Sequence, residues 1–209
     1  MPRGLTAPRL RRDDRGSIEG GAFLMLLYRA IALLLAALAA PASAAGVFAL
    51  SSADFTDGAM LARKVGDIPA RGPNCKGENV APALAWSNPP EGTKSFAFTV
   101  FDPDAGNGAG FVHWVAYGIA PDATSFAEGE IGRPSEKYVG GTSGKKLAYF
   151  GGPCPPPGSP HHYLFQIVAT DLDPKALPPG LTYVELHDKL KGHRLAESSI
   201  VGTFVNPYP

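Results

Sequence analysis

Glycine and proline interrupt this chain so often that long helices are excluded from most of it. Of 209 residues, 25 are Gly and 21 are Pro, and past residue 45 they fall between short apolar runs. Gly opens backbone conformations that tight turns need, while Pro presets φ and removes an N–H donor. The spacing therefore predicts strands joined by turns. Five runs have strand composition: Leu84-Ala85-Trp86, Lys94 to Phe101, Phe111 to Ala120, His162 to Thr170 and Ile200 to Val205. The middle three are rich in aromatic and β-branched residues. His162 to Thr170 is apolar on both faces and reads as the central strand. One helix is expected near residues 182–191, where Thr182 and Glu185 have capping-box spacing, Leu186 and Leu190 lie at i,i+4, and Gly192 ends the run. The expectation is all-β, a single sandwich or barrel.

The N-terminal part is of another kind. Ala30 to Ala40 is continuously apolar, preceded by Arg29 and followed by Pro41-Ala42-Ser43-Ala44. That is the pattern of a secretory signal peptide cut after Ala44, shorter than the roughly 20 apolar residues of a membrane span. Residues 1–44 are thus read as the signal region, with Met25 as an alternative start, and residues 45–209 as one domain. The expected location is periplasmic or secreted, with no stable membrane insertion. No Cys stands at the cleavage site, so no lipid anchor is expected. From Ala45 onward 13 basic residues face 16 acidic ones, a net charge of −3 without any basic run. This argues against nucleic-acid partners and against docking on anionic membranes. Cys75 and Cys154 are the only cysteines, and export favours a disulfide between them over two separate buried thiols. Neither has neighbours at metal-ligand spacing, so no metal and no cofactor is expected.

Two stretches place polar groups at the mouths of apolar strands. In the first, Asp102-Pro103-Asp104-Ala105 leads to Phe111-Val112-His113-Trp114. If the flanking strands form a hairpin, Asp102 comes within reach of His113, and alternation puts Phe111, His113, Val115 and Tyr117 on one face. Asp102 would then orient His113 and favour its protonation, giving an anion donor near neutral pH. The alternative is a core histidine satisfied by one backbone carbonyl. In the second, Gly152-Pro153-Cys154-Pro155-Pro156-Pro157-Gly158 leads to His161-His162-Tyr163. Alternation sends His161 and Tyr163 one way and His162 the other. The Gly152 N–H, His161 and Tyr163 would complement His113 around a phosphate-sized oxyanion; a proline-rich loop capping a strand is the alternative. Gly140 to Lys146 reads as a flexible surface loop.

These stretches resemble the two motifs of the phosphatidylethanolamine-binding protein family, in its bacterial Raf-kinase-inhibitor-like (YbhB/YbcL-type) branch. Asn79-Val80-Ala81-Pro82-Ala83-Leu84-Ala85-Trp86 and Gly192-His193-Arg194-Leu195-Ala196-Glu197 are similar to further family elements, and the likeness runs from about Phe55 to Phe204. The resemblance implies a two-sheet antiparallel β-sandwich with a small cavity for phosphate or phospholipid headgroups. Asp102, His113, Pro153, His161 and Tyr163 match the family's pocket, with Gly152, Asp104, Phe111 and Trp114 lining or supporting it. Gly106 and His162 replace the family's Pro and Arg.

The expected function is non-catalytic binding of a small anion, phosphate or a headgroup such as phosphoethanolamine. No Gly-x-Ser-x-Gly elbow and no His-Glu-x-x-His pair supports a hydrolase. The alternative is a protein-interaction or inhibitor module acting on a periplasmic or secreted partner through the loops around the pocket. Binding to such a partner would survive loss of His113 and His161.

Overall fold

A computed structural model describes residues 46–207. The signal-peptide reading of residues 1–44 lies outside the described residues. Among the described residues there are eight strands and one α-helix: β1 (Ala49–Ser51), β2 (Leu84–Ser87), β3 (Ser95–Asp102), β4 (Phe111–Ile119), β5 (Ser125–Phe126), β6 (Val139–Gly140), β7 (His161–Thr170), α1 (Tyr183–Lys189) and β8 (Arg194–Phe204). They form two antiparallel sheets, β1-β2-β5 and β6-β4-β3-β7-β8. The all-β, two-sheet expectation holds.

The core lies between the sheets, where the period-2 pattern of the strands sends one set of side chains. Leu50, Leu84, Trp86 and Phe126 of the small sheet meet Phe96, Phe98, Trp114, Phe165 and Ile167 of the large one. The Trp86 ring lies 5.5 Å from Phe96 and 5.4 Å from Phe126, near enough for edge and tilted contacts. On the opposite face of the large sheet, Ala97, Val115, Tyr117 and Val168 pack under Leu186 and Leu190. The helix begins at the expected box: the Thr182 hydroxyl accepts from the Glu185 N–H, and the Glu185 carboxylate accepts from the Thr182 N–H.

The structure corrects several strand readings. The middle strand is β3, with β7 beside it. β8 starts at Arg194 instead of Ile200, because it pairs with β7 along nearly its whole length. β1, β5 and β6, two or three residues each, have no composition that marks them. Cys75 and Cys154 form a disulfide, with Cα atoms 5.4 Å apart.

Candidate functional site

The end of the large sheet carries a pocket of about 360 Å³, lined among others by Asp102, Asp104, Phe111, His113, Lys145, His161 and Tyr163. Strand register explains the convergence. Val100 faces Phe165 and Phe101 faces Leu164 across β3 and β7, so Asp102 and Tyr163 continue the core-facing rows. On β4, Trp114 pairs with Val100 and Val112 with Phe101, a register shift that leaves His113 as an extra residue. That bulge changes its face. Simple alternation puts His113 with Val115 and Tyr117, under the helix. The bulge instead turns its ring onto Phe111 and Tyr163, each 5.1 Å away between centroids.

Asp102 organises the site. Its side chain is buried, and Oδ1 accepts the backbone N–H groups of Asp104 (2.9 Å) and Ala105 (3.2 Å), which folds the Asp-Pro-Asp-Ala turn back on itself. Oδ2 meets His161 Nδ1 at 2.8 Å but stands 4.0 Å from His113 Nε2. Asp102 therefore orients His161, and His161 Nδ1 donates to it.

His113 plays a different part from the expected cationic donor. Nδ1 donates to the Gly151 carbonyl at 2.6 Å, and the ring is buried. Burial pushes its pKa down to about 4, against the opposing pull of the Gly151 hydrogen bond and the Asp102 charge. At neutral pH it is an uncharged imidazole. The carbonyl-satisfied histidine, the alternative reading of the sequence, is what the structure contains.

Gly152 is also corrected. Its N–H donates to Asn79 Oδ1 at 2.7 Å and is not available to a ligand. A Cβ on Gly152 would lie 2.2 Å from the Val65 carbonyl oxygen, so glycine is required by close chain crossing. Pro153 turns its carbonyl to the Asp67 N–H at 2.7 Å and lies outside the pocket lining. Trp114 points into the core between the sheets, behind the site. His162 points outward as alternation requires, and both its N–H and its ring meet Asp104 Oδ2, at 2.7 and 2.8 Å. Those two bonds lower the Asp104 pKa.

Tyr163 is nearly inaccessible, and its hydroxyl, with the Asp102 carboxylate nearby, completes no hydrogen bond of ordinary geometry. Burial and the nearby Asp102 carboxylate both raise its pKa, so it stays a neutral O–H. Sequence reasoning missed Lys145 in the supposed flexible loop. Its ammonium bonds Asp67 Oδ2 and, at 2.7 Å, the Gly152 carbonyl. Burial lowers the Lys145 pKa while the Asp67 pair works against this. Asn79 was legible only as part of a family element. Buried with a φ of 58°, it also donates through Nδ2 to Gly132 (3.0 Å) and Phe150 (3.2 Å). It thus fixes the loop behind the pocket.

Fold and pocket define the class: a two-sheet sandwich with a preformed polar pocket at one end of its larger sheet. Comparisons with known proteins agree. A family model described as phosphatidylethanolamine-binding protein matches residues 51–205. LppC of Mycobacterium tuberculosis, by its name a candidate lipoprotein, is 39% identical over 165 residues, 78% of this chain and 75% of its own. YbcL of Escherichia coli is 45% identical over 101 residues, 46% of this chain and 55% of its own. The crystal structure of YbcL, described as a new member of the mammalian PEBP family, matches with a TM-score of 0.69 at 32% identity, covering 77% of this chain and 99% of that one. This chain belongs to the phosphatidylethanolamine-binding protein family. Membership supports ligand binding as a general property.

Proposed function

We propose that this protein binds a small anionic group, phosphate or a phospholipid headgroup such as phosphoethanolamine, in the end pocket, without turning it over. It would do so in the periplasm or after secretion, with a regulatory output. The observation that carries the reading is the Tyr163 hydroxyl: a buried O–H beside the His113 ring that, with only the Asp102 carboxylate nearby, completes no hydrogen bond of ordinary geometry. An unpaired buried donor costs about 1–3 kcal/mol, and an anionic oxygen in the pocket would remove that cost. With Nδ1–H held by Asp102, His161 in its imidazolium form can present Nε2–H to an anionic oxygen in the pocket. Lys145, on the pocket wall, supplies positive charge. The family's description adds the headgroup as the natural carrier of such an anion.

A thermal-shift titration with phosphate and with phosphoethanolamine tests this. Stabilisation of about 2.7 kcal/mol is expected at about 100-fold excess over Kd. Tyr163→Phe and His161→Ala should each weaken binding about tenfold, the value of one hydrogen bond to a charged partner. Absence of any shift at millimolar ligand, or unchanged affinity in both variants, would remove the reading.

A further inference from the structure

A larger cavity of about 690 Å³ opens beside the end pocket, and Lys145, Cys154, Pro155 and Pro156 belong to the walls of both. Its volume is in the range that encloses a small organic ligand. Its charges are unbalanced. Asp67, almost fully buried, accepts Arg71 Nη1 (2.7 Å) and the Ile68 N–H (2.9 Å) on Oδ1, and the Lys145 ammonium on Oδ2. One carboxylate answers two cations, so the cluster keeps one positive charge. Donors also remain. An ammonium has three, and Lys145 spends two, on Asp67 and Gly152. Arg71 Nη2 meets the Tyr149 hydroxyl at a long 3.4 Å, and the guanidinium carbon lies 5.8 Å from the centroid of that ring. Both side chains are largely but not wholly covered, 18% exposed for Lys145 and 25% for Arg71. The domain as a whole is mildly acidic, which makes this local excess a feature of the cavity and not of the surface.

We infer that the larger cavity is a second anion subsite, receiving an acidic group of the same ligand whose phosphate occupies the end pocket. Arg71 is its recognising residue, and Lys145 is shared between the two. The inference rests on the anion reading of the end pocket and narrows it. The ligand is a phosphate ester carrying a second acidic group, phosphoserine-like in chemistry, instead of one carrying an amine alone. Arg71 suits this role because its planar guanidinium can offer two parallel N–H groups to a carboxylate.

Calorimetric titration of the full-length protein with O-phosphoserine and with phosphoethanolamine provides the test. The two share phosphate and amine and differ by one carboxylate. O-phosphoserine should bind about tenfold more tightly, as one added charge-assisted contact implies. Arg71→Gln should bring the ratio of the two affinities close to one, and Arg71→Lys, which keeps charge but loses the fork, should leave it between. A ratio near one in the unmodified protein overturns the inference and leaves the end pocket standing, as does a tenfold ratio that persists in folded Arg71→Gln. If neither ester binds, both readings fall. Should Arg71→Gln not fold, the ratio in the unmodified protein and in Arg71→Lys decides. Vesicles containing phosphatidylserine, run in parallel, separate the sources: binding to vesicles identifies a lipid headgroup, and binding to the free ester alone a soluble metabolite.

Discussion

His113 shows how one misplaced proton changes a site. Its folded pKa of about 4 lies below the ordinary 6.5. Between those two pH values the unfolded chain takes up a proton that the folded one refuses. The contribution is therefore complete above pH 6.5 and drains away as the pH falls toward 4. By pH 4 the loss should reach on the order of 3 kcal/mol. His113→Asn, whose amide can still donate to Gly151, should flatten that part of the stability–pH curve, as denaturant unfolding at a series of pH values will show. That Asp102 serves the site's histidines was legible from the sequence; that it holds His161 closely while His113 turns to the Gly151 carbonyl was not. Alternation assigns faces correctly only while the ladder is regular, and the bulge beside Val100 breaks it at His113. Lys145 was illegible for a different reason. Among Gly, Thr and Ser a lysine reads as solvated, and only the buried Asp67, 78 residues away in sequence, makes it part of a wall.

At the scale of elements, local chemistry and partnership divide the work. The helix α1 is short, and its start is fixed by two reciprocal bonds between Thr182 and Glu185. Thr182→Ala should destabilise the domain by about 1 kcal/mol, as capping losses commonly do, read as a lower denaturant midpoint with an unchanged slope. That helix was legible because a box, an i,i+4 leucine pair and a glycine all sit within eleven residues, Thr182 to Gly192. The long strands were legible from their aromatic and β-branched runs. β1, β5 and β6 were not, since segments of two or three residues have no period of their own and exist by pairing with β2 and β4. The same applies to the first half of β8. Arg194 to Ser199 reads as polar loop, and its strand form is imposed by β7.

Across the whole molecule, one covalent link joins segments distant in sequence. The Cys75–Cys154 bond closes a separation of 79 residues and fastens the loop after Arg71 to the Pro-rich loop that borders both cavities. A chain-entropy account gives about 4.5 kcal/mol for a loop of that size. Reduction should lower stability by about 2–4 kcal/mol, measurable by unfolding with and without dithiothreitol. Another tie lies along the outer side of β8, the long edge of the larger sheet. There the Val201 N–H is taken by Asp57 Oδ1 at 2.7 Å and the Thr203 N–H by the Ala59 carbonyl at 2.8 Å, while Gly58 and Leu61 donate back to the carbonyls of Val201 and Thr203. The opposite edge, β6, is only two residues long. The C-terminal part of β8, covered this way, offers little unpaired backbone to a passing strand. Along Val201 to Thr203 a foreign strand therefore finds the edge already taken, which closes that stretch to the strand addition by which sheets join into fibrils.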